Sequence, residues 1–344
     1  MHRTTASLAL ALALAVLATP LAADTLVVAN KAEATVSLID LGTGEVAATL
    51  STGTGPHEVG VSPDGSLALV TNYGTREEPG SSLTLIDVGA AEVVRTLELP
   101  EGSRPHGVAW LDGRRAAVTC EGLGALLVVD TESGEVLARI ETGQEVSHMV
   151  VVAADGGRAY VANIGSGTVS VLDLEGRALI KNVPTGEGAE GIDLAAGGEQ
   201  LWVTNRAEDT VTVLDPATLE ALAELPSANF PIRARAVGDR VLVTNARSGE
   251  IAVFDTGALA EVERFRVEVE AGETAGRLFG DEFGDSSVPI GVVVDAAGTR
   301  AWVAHAHADV VTEIDLASLE TARHLRAGKE PDGMAWSPRD VGSE

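Results

Sequence analysis

The 344-residue chain carries 51 acidic against 24 basic side chains, a formal net charge of −27. That balance excludes a nucleic-acid binder, whose phosphates would be repelled, and disfavours docking on anionic lipid. A single cysteine excludes a disulfide framework and an all-cysteine zinc cluster, and 45% hydrophobic residues are too many for a disordered chain.

In chain order, the first feature is an address. His2 and Arg3 precede an apolar run from Leu8 to Leu17, followed by Thr19-Pro20-Leu21-Ala22-Ala23. A basic start, a short apolar core and small residues predict a secretory signal peptide over 1–23. The alternative is an N-terminal helix packed on the domain. The run is too short for a spanning helix, and no later stretch is apolar enough to span. The mature protein, 24–344, is expected in the periplasm or secreted after cleavage near Ala23.

From there the chain repeats. Leu26-Val27-Val28-Ala29-Asn30 recurs in strands ending at Asn72, Cys120, Asn163, Asn205, Asn245 and His305, with spacings of 42, 48, 43, 42, 40 and 60 residues. A polar turn follows each copy, then a strand ending in Asp (Asp40, Asp87, Asp130, Asp173, Asp215, Asp255, Asp315) and a third strand such as Val46–Leu50. A fourth, such as Pro56–Val61, opens the next unit and closes on Ser62-Pro63-Asp64-Gly65. Alternation within short runs separated by turn residues is the strand-and-hairpin signal. Four antiparallel strands per unit of about 40–50 residues is the period of a propeller blade. Seven copies predict an all-β, seven-bladed β-propeller. The first unit lacks its opening strand, and Pro331–Pro338 supplies one, so the C-terminal strand is expected to close the first blade. A closed ring with no exposed sheet edge predicts a monomer.

The Leu/Tyr-Val-Thr/Ala-Asn strands, Pro-His-x-Val starts and Ser-Pro-Asp-Gly turns resemble the YVTN family of β-propeller repeat proteins. The resemblance covers the mature chain and implies an exported propeller, in some relatives encoded beside periplasmic redox systems. The repeats are also similar to those of propellers that carry haem d1. That group has eight blades, and this chain has no Cys-x-x-Cys-His for a c-type haem.

Each opening strand starts, and each second strand ends, at one face. Aligned units therefore place His57, His106, His148, Glu190, Ile232, Ile290 and Asp332 around one channel mouth, Ile232 across a one-residue gap. The Asn residues at strand ends and the Asp series read as structural caps. His57, His106 and His148, with Cys120 or Glu190, are candidate ligands for zinc or copper, since three imidazoles leave one position open for water or substrate. The other reading is a polar mouth that holds a ligand through His57, His106, His148, Glu190 and Asp332. His305 and His307 form a second candidate metal pair, facing one side if the stretch is extended. The widest spacing holds an insertion, about 267–287, expected on the histidine-bearing face. Its Phe279 and Phe283 are candidate ligand contacts, or rings tucked against a blade. The insertion 76–82 reads as an exposed loop.

No Gly-x-Ser-x-Gly, His-Glu-x-x-His or phosphate loop occurs, and no dinucleotide fingerprint leads from a strand into a helix. The leading expectation is a binding or scaffold protein for a protein partner or small ligand. The alternatives are a metal-dependent periplasmic hydrolase or redox enzyme using the histidines, and an accessory factor for a haem- or quinone-dependent system.

Overall fold

The computed structural model describes residues 24–272 and 275–342; the signal-peptide reading of 1–23 lies outside them. Seven four-stranded antiparallel sheets follow one another around a central axis. Among the described residues no helix is long and apolar enough to cross a membrane.

Within each blade, burial follows from position. The second strand is packed on both faces by neighbouring blades, so it reads as a continuous apolar run rather than an alternating one. Thr25–Asn30 is buried throughout, whereas the outer strand Val46–Ser51 is mostly exposed. The core therefore lies between blades. Trp302 of blade 7 packs with Leu26, Ile39 and Met334 of blade 1. Trp202 of blade 5 meets Phe254 of blade 6 at 5.7 Å. Ring closure leaves an outer edge strand on each blade, contrary to the expectation of no exposed edge. Charged residues guard these edges, as in Ala260–Arg266 with Glu261, Glu263, Arg264 and Arg266.

Turns are set by side chains. In all seven blades the Asp that closes the strand beside the outer one accepts a backbone N–H three residues on, as with Thr43 to Asp40 (2.9 Å) and Ala258 to Asp255 (2.6 Å). The insertion 76–82 is not a plain loop. Gly74 pairs with Pro79, so it lengthens a hairpin of blade 2.

Pro331–Ser337 pairs with Thr25–Asn30, Leu26 opposite Trp336 and Asn30 opposite Pro331, and so completes blade 1. Every inner strand carries the same register shift within its first four residues, including Pro331–Ser337 of blade 1. A bulge there re-aims the side chains beside it. Threonines of the second strands lock it. Thr71 Oγ1 accepts from Glu58 N at 2.9 Å and donates to the His106 carbonyl of the next blade at 2.8 Å. Thr119 does the same for Gly107 and His148.

Candidate functional site

The second residue of each bulged inner strand faces the mouth. In order around the ring these are Asp332, His57, His106, His148, Glu190, Ile232 and Ile290. Ile232 takes the equivalent place, because Pro231 pairs with Asn245 as Pro56 pairs with Asn72. Five adjacent blades thus contribute a polar crescent and two an apolar remainder. The crescent is buried: Asp332 and His106 are 0% exposed, Glu190 2%, His148 7% and His57 8%.

The three imidazoles lie in a row, their planes tilted by 51° and 33° between neighbours. Ring centroids lie 4.1 Å apart for His57–His106, 3.5 Å for His106–His148 and 6.5 Å for His57–His148. Each outer ring meets a carboxylate: His57 Nδ1 lies 2.7 Å from the buried Asp332, and His148 Nδ1 2.5 Å from the partly buried Glu121. The far nitrogens meet Lys31 Nζ at 3.2 Å and Glu190 Oε1 at 3.2 Å. His106, in the middle, has no hydrogen-bond partner at either ring nitrogen.

Charge follows from these contacts. Burial, helped by the facing His148 and His57 rings, holds His106 well below the ordinary imidazole pKa. Burial also opposes charging of His148, but Glu121 and Glu190 outweigh it and raise its pKa. For Glu190, burial would favour the neutral acid; Arg206, His148 and Arg233 instead bring its pKa down to about 2. Asp332 is likewise pushed up by burial but carried below the carboxylate range by His57 and Lys31.

Two further layers flank the crescent; the glycines of the lower one follow from the sequence, while the upper ring and the Arg233 bridge escaped it. The residue after each second strand forms a ring above the crescent, contributing Lys31, Tyr73, Glu121 and Arg206. Tyr73 donates its hydroxyl to Glu121 at 2.6 Å, and Arg206 holds Glu190 at 2.6 Å. One residue below the crescent, four blades have glycine because the backbone of the next strand is too close. A Cβ at Gly291 would meet the Asp332 carbonyl at 2.1 Å, and one at Gly333 the His57 carbonyl at 2.3 Å. The exceptions are Glu58, Met149 and Arg233. Arg233 reaches across the axis to Glu58 at 2.5 Å and also contacts Glu190 at 3.2 Å. Beneath this bridge lies a channel cavity of about 180 Å³ bordered by Val108, Met149, Val292 and Met334. The signal for both layers was the repeat register itself, read one position further on.

The insertion lies over the apolar remainder. Phe283 is buried against Ile232, Val288 and Ile290, stacks on Phe279 at 4.3 Å and meets Phe230 at 4.9 Å. Arg277 pairs with Asp309 at 2.5 Å, and Leu278 N donates to Glu330 at 2.9 Å, so the segment is fixed next to the Asp332 end of the crescent. Phe230 lies under Arg206, next to the Glu190 end.

The remaining candidates sit apart. Cys120 points into the core beside Leu69 and Val118, where burial pushes its thiol up to about 12. His305 bonds Ser287 at 2.9 Å, and His307 donates to the Leu278 carbonyl at 2.6 Å. Among the described residues none of these three belongs to a set of three metal-donor groups. His305 occupies an Asn position, and burial, then the nearby His324, brings its pKa down to about 3. The unfolded chain takes up that proton near pH 6.5 and the folded chain does not, so stability falls as pH drops from 6.5 towards 3. Replacing His305 with Asn, the residue of five sister blades, is expected to remove up to about 1.4 kcal/mol per pH unit of this slope. Urea unfolding of both proteins at several pH values measures it; parallel curves would contradict the assignment.

The chain is similar to known propellers. A family model for the YNCE-like β-propeller matches residues 10–118, and one for the cytochrome D1 haem domain matches 114–266. With seven repeats and seven blades in register, these matches fit a YVTN-type β-propeller repeat protein. A functionally unknown protein from Desulfotomaculum acetoxidans shares its fold at TM-score 0.74 and 15% identity, over 92% of this chain and 100% of the other. The periplasmic gluconolactonase PpgL of Pseudomonas aeruginosa aligns at TM-score 0.70 and 18% identity, over 91% and 99%. The dihydro-haem d1 dehydrogenase NirN aligns at 0.64 and 16%, over 94% and 76%. No curated protein matches the chain in sequence.

Proposed function

We propose that this is an exported, monomeric binding propeller that holds a small ligand at its histidine crescent and carries out no reaction of its own. The observation behind it is His106: fully buried, set between two anchored imidazoles, with both nitrogens unpartnered. A buried polar group left without partners marks a place where something else belongs. Among the described residues no Ser, Thr or Cys side chain is hydrogen-bonded to the three imidazoles, so no activated nucleophile stands there. Export fits the leader-like residues 1–23 and the periplasmic location named for PpgL.

The ligand is not a haem held between the imidazoles: the ring centroids of His106 and His148 are 3.5 Å apart, which leaves no slot for a flat macrocycle.

The test is native mass spectrometry of protein taken from a periplasmic extract without chelators. The wild type is expected to carry mass beyond its polypeptide, and His106→Ala to lose it. A wild type at the bare chain mass would refute the reading.

A further inference from the structure

We propose that a divalent transition-metal ion of the zinc class binds between His106, Glu121 and His148, with His57 outside its ligand set. This rests on the mouth being a ligand site and names the ligand. Among the described residues two triads have donor atoms all within 4.8 Å of one another: His57, Glu58 and His106, and His106, Glu121 and His148. Ligands of a four-coordinate zinc ion stand about 3.5 Å apart, so either triad is close to the required spread.

Charge decides between them. The first triad already holds two cations, with Arg233 2.5 Å from Glu58 and Lys31 Nζ 3.2 Å from His57. A dication placed there would face both at short range, where a partly desolvated site screens little. In the second triad the donors themselves touch no cation among the described residues: Glu121 accepts from the Tyr73 hydroxyl and meets His148, and the two arginines nearby, Arg206 and Arg233, are paired with Glu190, which lies 3.2 Å from His148 Nε2. His106 brings a buried imidazole whose nitrogens are both free.

Two imidazoles and one carboxylate are a ligand set that zinc accepts, with a fourth position open to water or a small anion. Tyr73 and Glu190 would orient Glu121 and His148 from outside, as hydrogen-bond partners of metal ligands do. The set departs from a three-histidine site by one residue in and one out, which makes it testable.

Chelator-stripped mature protein is dialysed against Zn2+, and Co2+ is used as a visible-absorption probe. One Zn2+ per chain and an intense low-coordinate Co2+ spectrum are expected. His106→Ala, Glu121→Gln and His148→Ala should each weaken Zn2+ binding roughly a hundredfold, and His57→Ala by no more than about threefold. Circular dichroism checks folding. Should an alanine variant unfold, Glu121→Gln, which keeps shape, and the wild-type Co2+ spectrum still decide. Equal loss in His57→Ala would overturn the assignment in favour of three histidines. Folded wild type that takes up no Zn2+ and shows only a weak six-coordinate Co2+ band would overturn it outright. If that protein still carries extra mass from the periplasm, the ligand-binding reading survives and only the metal is wrong.

Discussion

A chain stopped after Ala327 is expected to lose cooperative folding. The deleted strand, Pro331–Ser337, is the inner strand of blade 1, and Leu26 and Val28 lose Trp336 and Met334 as register partners. Met334 also leaves the cluster that joins Trp302 to Leu26 and Ile39, so two blades lose packing at once. Each buried apolar side chain returned to water costs about 1.5–3 kcal/mol, and several do so here. The sum approaches the roughly 5–15 kcal/mol that holds a domain together. Far-UV circular dichroism and urea titration would record a broad, shallow transition in place of a sharp one. Adding a synthetic 328–342 peptide should restore sharpness. A truncated chain unfolding with unchanged midpoint would mean that the ring does not depend on its closing strand.

The second large effect is at Arg233. Its guanidinium is buried, touches Glu58 and Glu190, and is held charged far up the pH scale because those carboxylates outweigh the burial that opposes it. Arg233→Met removes the cation and leaves Glu58 buried without its partner. Breaking a buried pair from one side costs about 3–5 kcal/mol, more than the pair contributes in place. Glu190 keeps Arg206, so most of the loss belongs to Glu58. Adding Glu58→Gln to Arg233→Met is therefore expected to return more than half of it. Urea unfolding of the two single variants and the double closes the cycle; additive losses would mean that the side chains do not interact.

Much of the architecture was legible because repetition multiplies a weak local signal. One Leu-Val-Val-Ala-Asn segment is ambiguous, but seven at blade spacing, each followed by a strand ending in Asp, are not. The missing first strand and the spare last one revealed the closure for the same reason. Angular order at the mouth was legible too, since Asp332, His57, His106, His148 and Glu190 hold one register position. What the register lacks is depth and distance. It does not say that His106 lies 3.5 Å from His148, or that Glu121 from the neighbouring ring takes the nitrogen of His148. Arg233 was passed over because its neighbour Ile232 is apolar and its blade needed a gap. Its partner Glu58 lies 175 residues away, and only the curvature of the ring brings them together. Sequence places Cys120 in the Asn series, and its pairing with Pro105 keeps it there, but its side chain is part of the packing between blades.

The closing seam also fixes an orientation. Thr25 pairs with Ser337 at the end of blade 1 remote from Asn30 and Pro331, and Gly342 bonds Gly89, a turn on that same remote side. Whatever is joined to residue 24 or residue 342 therefore leaves from the face opposite the histidines. A fusion partner, an affinity tag or a solid support attached at either point would hold the protein like a bowl on a stand, with its opening presented outward.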